Sequence, residues 1–82
     1  MAHFAELDQD NNVLRVVYVN NSECVDADGV EQEFIGAAFC SKIFGGRWIQ
    51  TSFSNSFRRI FAGTGYKYDP EKDIFFDPLV GE

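Results

Sequence analysis

The run from Trp48 to Phe76, WIQTSFSNSFRRIFAGTGYKYDPEKDIFF, decides the fold of this chain. Near its end, Tyr66-Lys-Tyr68 and Ile74-Phe-Phe76 are two short apolar segments separated by Asp69-Pro-Glu-Lys-Asp73. Asp69 suits the first position of a β-turn, and Pro70 suits the second because its ring fixes φ at about −65°. The sequence therefore predicts a β-hairpin at this point.

The remainder of a β-rich segment, residues 47–77, is also predicted to be extended. Trp48–Phe53 predicts a strand, Ser54–Ser56 a turn, and Phe57–Ala62 a shorter extended piece. Whether residues 57–62 pair in the main sheet or leave it stays open. Gly63-Thr-Gly65 lacks the helix N-terminus or the Gly-Lys-Ser/Thr sequence of phosphate-binding loops, so a bulge or close backbone approach is expected there.

The first half of the chain begins with a second predicted hairpin, residues 3–19. His3–Leu7 is a short extended segment, and Asp8–Asn12 is a turn whose side chains can bond their own backbone. Val13–Val19, VLRVVYV, is rich in β-branched residues, as expected of a central strand, and which strand of the sheet is central stays open.

One helix is predicted, over about residues 29–44. Asp28 and Glu31 fit a capping box at its start, and Gly45-Gly46 fits its end because glycine readily adopts positive φ. Apolar residues at spacings of three and four predict one buried stripe, formed by Phe34, Ile35, Ala38 and Phe39 and extended by Lys42 and Ile43.

These elements predict a single α+β domain over residues 1–82. The expected architecture is a small antiparallel sheet of four to five strands, in the order ββ-α-ββ(β), with one helix packed on one face. At 82 residues there is no room for a second domain.

The composition restricts the classes of partner. The formal net charge is −6, which disfavours nucleic acid, since phosphate binding needs clustered positive charge. Neither a signal peptide nor a run of roughly 20 apolar residues is visible, so a soluble chain without a membrane partner is expected.

The sequence contains no strong catalytic or metal-binding motif. His3 is the only histidine, and no nucleophile or orienting carboxylate accompanies it. Asp8, Asp10 and Asn12 imitate a calcium loop, but Val13 stands where the EF-hand needs glycine and Val19 where it needs glutamate. Cys24 and Cys40 have no metal-type spacing, and Cys40 is expected to be buried. The sequence therefore predicts no catalytic, cofactor-binding or metal-binding residues, and an enzyme is disfavoured.

An aromatic and arginine-rich surface is the most plausible functional feature. Thirteen aromatic side chains in a domain of this size suggest that some complete their burial against another chain. The residues predicted to form such a surface are Trp48, Arg58, Phe61, Tyr66 and Tyr68.

Two blocks carry a family resemblance: GGRWIQTSF at residues 45–53 and AGTGYKYD at residues 62–69. Together with the opening Met-Ala-His-Phe-Ala, they resemble short proteins of marine tailed bacteriophages, especially cyanophages. Those proteins are mostly uncharacterised or provisionally labelled virion structural proteins. The resemblance spans nearly the whole chain and implies no catalytic residues.

The resemblance implies a non-enzymatic phage protein located in the virion or the host cytoplasm. Our leading hypothesis is a small virion structural or assembly module that binds copies of itself or another phage protein. The alternative is a soluble phage effector that binds a host protein during infection.

Overall fold

A computed structural model describes all of residues 1–82. It contains one α-helix, five strands and one short 3₁₀ helix, Asn21–Glu23. The strands are β1 (Ala2–Leu7), β2 (Val13–Val19), β3 (Arg47–Thr51), β4 (Lys67–Asp69) and β5 (Ile74–Phe76), and the helix α1 spans Glu33–Phe44. The predicted α+β class and the number of helices are confirmed.

The strands form two sheets, which corrects the prediction of one sheet with four to five strands. β2, β1 and β3 form a three-stranded antiparallel sheet in that order, and β4 and β5 form a separate antiparallel pair. The central strand is therefore β1, and β2, whose composition is that expected of a central strand, lies at an edge. Phe4 and Ala5 of β1 are completely buried, because β1 has a neighbour on each side and each of its faces is covered.

β2 contains a bulge and contacts the chain leading into the second sheet only at its start. Glu6 pairs with Arg15 but Leu7 pairs with Val13, so Leu14 has no residue opposite it. The second sheet does touch β2 before this bulge, where Val13 N–H donates to Tyr66 O at 2.7 Å and Gly65 N–H donates to Val13 O at 2.9 Å. From this contact the chain runs antiparallel to β2 and away from the bulge, since Lys67 bridges Asn12 and Tyr68 N–H donates to Asn11 O at 2.9 Å, so β4 lies beside the turn that precedes β2.

The three-stranded sheet is covered on both faces, whereas the sequence predicted a helix on one face alone. On one face, Phe4 and Trp48 pack with Cys40 of α1. On the other, Ala5 and Val13 pack with residues of the C-terminal third, namely Ile60, Ala62, Tyr66, Tyr68 and Phe75. The protein thus has three layers, and β1 lies in the middle one.

The helix begins at Glu33, four residues later than predicted. Asp26 accounts for the difference, since its carboxylate accepts hydrogen bonds from the N–H groups of Asp28 at 2.9 Å and Val30 at 3.0 Å. These bonds fix a turn over the residues predicted to start the helix. The end was predicted correctly, because Gly45 has φ 72° and its N–H donates to Ser41 O at 2.8 Å.

The predicted apolar stripe of the helix is confirmed only in part, since Phe39 packs against the core and Ile35 is half-buried. The buried positions are Gly36 and Cys40, whereas Phe34 is 70% exposed and Ile43 is also exposed. Apolar residues occur on more than one face of α1, so their spacing alone does not identify the buried face. Gly36 determines which face of α1 is buried, because its lack of a side chain leaves room for the ring of Phe4. With 12 residues, α1 is far shorter than the roughly 20 that a bilayer-spanning helix needs, and no helix here could cross a membrane.

Residues 57–62 form no strand, unlike the predicted extended piece. Arg58 and Arg59 both adopt positive φ, 53° and 72°, which turns the chain sharply. Side chains disfavour this conformation, so other interactions must offset its cost. Two of them involve the carbonyl oxygen of Arg58, which accepts from Ile60 N–H at 2.9 Å and Phe75 N–H at 3.1 Å.

Replacing Gly36 by alanine tests the contact between the helix and the sheet. A Cβ at this position would lie 2.3 Å from Phe4 Cζ and 2.8 Å from Cys24 Sγ, and the ring of Phe4 is completely buried. We expect Gly36→Ala to lower the free energy of unfolding by about 1–3 kcal/mol, although alanine favours an isolated helix by about 1 kcal/mol. Urea unfolding measures the change.

Lys42→Ala is the control, because Lys42 is exposed on the same helix and should change stability by less than about 0.5 kcal/mol. A Gly36→Ala variant as stable as the parent chain would contradict this packing of α1 on Phe4.

Candidate interaction surface

The five residues predicted to form an interaction surface lie in different parts of the structure. Trp48 is only 8% exposed, packs against Phe44 and donates its indole N–H to Gly45 O at 2.7 Å. Tyr66 packs over Gly63 and against Ala5 and Val13, on the face of the sheet opposite the helix. Phe61 lies beside His3, whereas Arg58 and Tyr68 meet at a separate ionic cluster. Hence the five do not make one continuous surface.

Arg58 is held by three elements of its own chain. Its guanidinium forms two hydrogen bonds with the carboxylate of Glu33 at 2.6 and 3.0 Å, one with Asp73 Oδ1 at 2.7 Å and one with Gln50 O at 2.8 Å. Only one of its five N–H groups remains without a partner. Since its side chain is 15% exposed, Arg58 has little capacity to bind another molecule.

Contacts within this cluster shift the pKa values of Arg58, Tyr68 and Asp73. Burial alone would lower the pKa of Arg58, but hydrogen bonds with Glu33 and Asp73 outweigh that effect and raise it. The hydroxyl of Tyr68 donates to Asp73, and this bond together with Arg58 lowers the pKa of the Asp73 carboxyl. Burial and Asp73 raise the pKa of Tyr68 to about 12. The cluster is therefore fully ionised at Arg58 and Asp73 at neutral pH.

The same cluster closes the outer edge of β3. Gln50 N–H donates to Glu33 Oε2 at 2.8 Å, and Gln50 O accepts from Arg58. Both backbone groups that Gln50 directs away from β1 are thus occupied by side chains. A carboxylate and a guanidinium here replace the donor and acceptor that a further strand would supply.

The largest concavity lies beside this edge, with a volume of about 590 Å³. Its lining brings together Trp48 and Tyr68 of the predicted set, with Phe34, Ala37, Leu7 and Ile49. Its charged residues are engaged by the chain itself: Glu33 binds Arg58, and Arg47 donates to Asp8 O at 2.8 Å and to Asn11. The Arg47 guanidinium is exposed and has no carboxylate partner, since both of its hydrogen bonds go to neutral oxygens.

The strongest candidate surface is elsewhere, around His3, and we call it the aromatic patch: His3, Tyr18, Phe53 and Phe61. The ring of His3 lies 6.3 Å from Tyr18, 5.6 Å from Phe53 and 5.4 Å from Phe61, measured between ring centroids. Tyr18 is 68% exposed and Phe53 is 72% exposed. Large apolar side chains that remain exposed next to one another are typical of sites where proteins bind.

Secondary structure and a turn hold the aromatic patch in place. His3 and Tyr18 are direct partners across β1 and β2, and Thr51, which pairs with His3 from the other side, leads into Phe53. Phe61 N–H donates to Asn55 Oδ1 at 2.7 Å, which ties the loop to the turn after β3. Because these contacts fix the backbone that carries the rings, binding orders side chains alone.

The aromatic patch carries no charge at neutral pH. Burial lowers the pKa of His3 below its ordinary value of 6.5, and the positive amino terminus lowers it further. The other three side chains of the patch are a tyrosine and two phenylalanines. The surface is consequently suited to an apolar or aromatic partner surface rather than to an anion.

Other reactive groups are enclosed. Cys24 and Cys40 are free and buried, and burial raises the pKa of both thiols, that of Cys40 to about 11. No group of three or more His, Cys, Asp or Glu side chains is placed to hold a metal ion.

Sequence reasoning had treated His3 and Tyr18 only as strand residues, and it missed that the hairpin register places them side by side.

We expect Arg58→Met to lower the free energy of unfolding by roughly 2–3 kcal/mol. Removing one partner of a buried ion pair costs about 3–5 kcal/mol, and the smaller value reflects the partial exposure of Glu33 and Asp73. Chemical denaturation measures it. Arg59→Met is the matched control, since Arg59 also has positive φ but is exposed, and it should change stability by under about 0.5 kcal/mol. Equal effects of the two substitutions would contradict the role of Arg58.

The lowered pKa of His3 predicts a pH dependence of stability. The folded protein binds the histidine proton more weakly than the unfolded chain, so this contribution is complete above pH 6.5 and is lost as the pH falls through the folded pKa. An NMR titration of the His3 ring should give a pKa below 6.5. His3→Gln should remove the corresponding slope of stability against pH. A pKa at or above the ordinary value would show that the ring is not enclosed as described.

Comparison with known proteins finds no protein-family model, no curated protein and no solved structure that matches this chain.

Proposed function

We propose that this chain is a non-enzymatic protein–protein interaction module and that the aromatic patch is its binding surface. The observation that carries the proposal is the pairing of two rings exposed by more than two thirds, Tyr18 and Phe53, with two half-buried rings that hold them. Hot spots of protein interfaces are enriched in aromatic residues that fill pockets of the partner. Binding would cover surface that is otherwise unfavourably hydrated.

The aromatic patch replaces the surface first proposed from the sequence. Arg58 and Tyr68 are occupied by Glu33 and Asp73, and Trp48 belongs to the core. Of the original five residues, only Phe61 belongs to the aromatic patch. Interaction therefore remains the proposed activity, with a different set of side chains performing it.

The proposed setting is a bacteriophage, where the chain serves as a small structural or assembly module of the virion. The blocks GGRWIQTSF and AGTGYKYD, which resemble proteins of marine tailed phages, support this setting. A binding surface that needs no cofactor or substrate suits an accessory subunit. The partner would be another phage protein with a complementary apolar pocket.

Phe53→Ser tests both the surface and the setting. We expect the parent chain to be found by mass spectrometry in purified phage particles. The amount of the Phe53→Ser variant in the particles should be at least tenfold lower than that of the parent chain. The reason is that a hot-spot truncation costs about 2 kcal/mol or more of binding energy. Leu79→Ser is the control, since Leu79 is also apolar and highly exposed but lies outside the aromatic patch. Circular dichroism should first establish that both variants fold.

Two outcomes would contradict the proposal in different ways. Equal incorporation of Phe53→Ser and the parent chain would show that the aromatic patch is not the binding surface. A chain absent from particles but abundant in infected cells would exclude the virion and favour an effector that binds a host protein.

A further inference from the structure

We infer that the outer edge of β2 is a self-association surface, through which two copies of this chain join by antiparallel pairing of their β2 strands. This inference goes beyond the proposed function, because it rests on backbone groups and not on binding of another protein by the aromatic patch.

The hydrogen bonds of Gln50 show which N–H and C=O groups of β2 point away from the sheet. Its N–H and C=O bond to Glu33 and Arg58, so they point away from β1. Adjacent residues of an antiparallel strand alternate in direction. Phe4, opposite Gln50, therefore directs its backbone groups toward its other partner, Val17 of β2. It follows that Val16 and Tyr18 direct theirs away from the sheet.

Nothing in the chain covers these groups. No loop, cap or side chain forms a hydrogen bond with the backbone of Val16 or Tyr18. The segment Gly65–Tyr66 bonds to the edge of β2 only at Val13, before the bulge. The two edges of the sheet thus differ, since Glu33 and Arg58 close the edge of β3 and nothing closes that of β2.

The side chains of β2 also lack the features that usually prevent edge pairing. Proteins protect free edges with proline, with lysine and other charges, or with bulges, and the bulge of β2 lies at Leu14, outside the Val16–Tyr18 edge. The only charged residue of β2 is Arg15, and Glu6 of the same chain pairs with it at 2.7 Å. Its guanidinium also lies 4.9 Å from the centre of the Phe44 ring. Two copies of this edge would consequently meet without unbalanced charge.

A second copy of the chain fits the outer edge of β2, and it does so in one register. Val16 of each copy would pair with Tyr18 of the other, giving four backbone hydrogen bonds about a twofold axis beside Val17. The side-chain pairs are then valine with tyrosine and valine with valine, which are favourable cross-strand neighbours. A register centred on Val16 would carry the second strand past Val13, where Gly65 and Tyr66 already occupy the edge.

The size of this contact predicts a weak dimer. Two short strands and a pair of exposed tyrosines bury less than the roughly 1,200 Å² that stable interfaces need. Each copy also carries a net charge of −6, so the copies repel at long range. Association should therefore increase with protein concentration and with salt. Both aromatic patches would lie on the same face of the joint six-stranded sheet.

Disulfide cross-linking of full-length Val17→Cys tests the register. In the proposed dimer the two Val17 residues form a pair without hydrogen bonds, whose Cα atoms lie about 4.5 Å apart, within the range that a disulfide spans. With oxidised glutathione as oxidant, we expect covalent dimers to form at least ten times faster than for Arg15→Cys, the control on the same strand. Cys24 and Cys40 are buried and should stay unreactive. Equal rates for the two variants would overturn the proposal.

Sedimentation of the parent chain and of Val16→Pro provides a second measurement. Proline removes an N–H that forms no bond within the chain, which edge strands tolerate. The mass of the parent chain should rise toward twice the monomer mass with concentration, whereas a folded Val16→Pro variant should stay monomeric. A parent chain that is monomeric at millimolar concentration and high salt would refute the dimer. Should Val16→Pro not fold, the cross-linking rates decide.

Discussion

The guanidinium of Arg58 is the contact on which the three-layer arrangement depends. It bonds to Glu33 in the first turn of the helix, to Gln50 in the middle layer and to Asp73 in the turn between β4 and β5. Its own backbone is strained, with φ 53°, and the bonds of its side chain and carbonyl offset that strain. Because it reaches all three layers, Arg58 joins the C-terminal hairpin to both the sheet and the helix, beside the apolar packing of Phe75 on Ala5 and Val13.

Arg58 also determines which edge of the sheet is available. Glu33 and Arg58 occupy the outward backbone groups of Gln50, so β3 cannot accept another strand there. The opposite edge has no such pair, and its exposed residue Tyr18 also belongs to the aromatic patch. The surfaces proposed for binding thus lie where the internal ionic cluster does not reach.

The sequence was sufficient to predict features governed by local chemistry. The turns at Asp8–Asn12 and Asp69–Asp73 form as their residues indicate, since each aspartate accepts hydrogen bonds from N–H groups two or more residues ahead. Gly45 likewise ends the helix. Features that depend on tertiary contacts were predicted wrongly. Positive φ at two successive arginines and the choice of Gly36 as the buried helix position both require knowledge of what packs nearby.

The aromatic patch could not have been predicted, because its geometry depends on the bulge at Leu14. If the pairing of Leu7 with Val13 continued without interruption, His3 would lie opposite Val17. The extra residue moves every later pair by one position, so that His3 meets Tyr18 instead. A shift of one residue also exchanges the two faces of a strand. One local irregularity in β2 thus decides which side chain lies beside His3 and thereby assembles the aromatic patch.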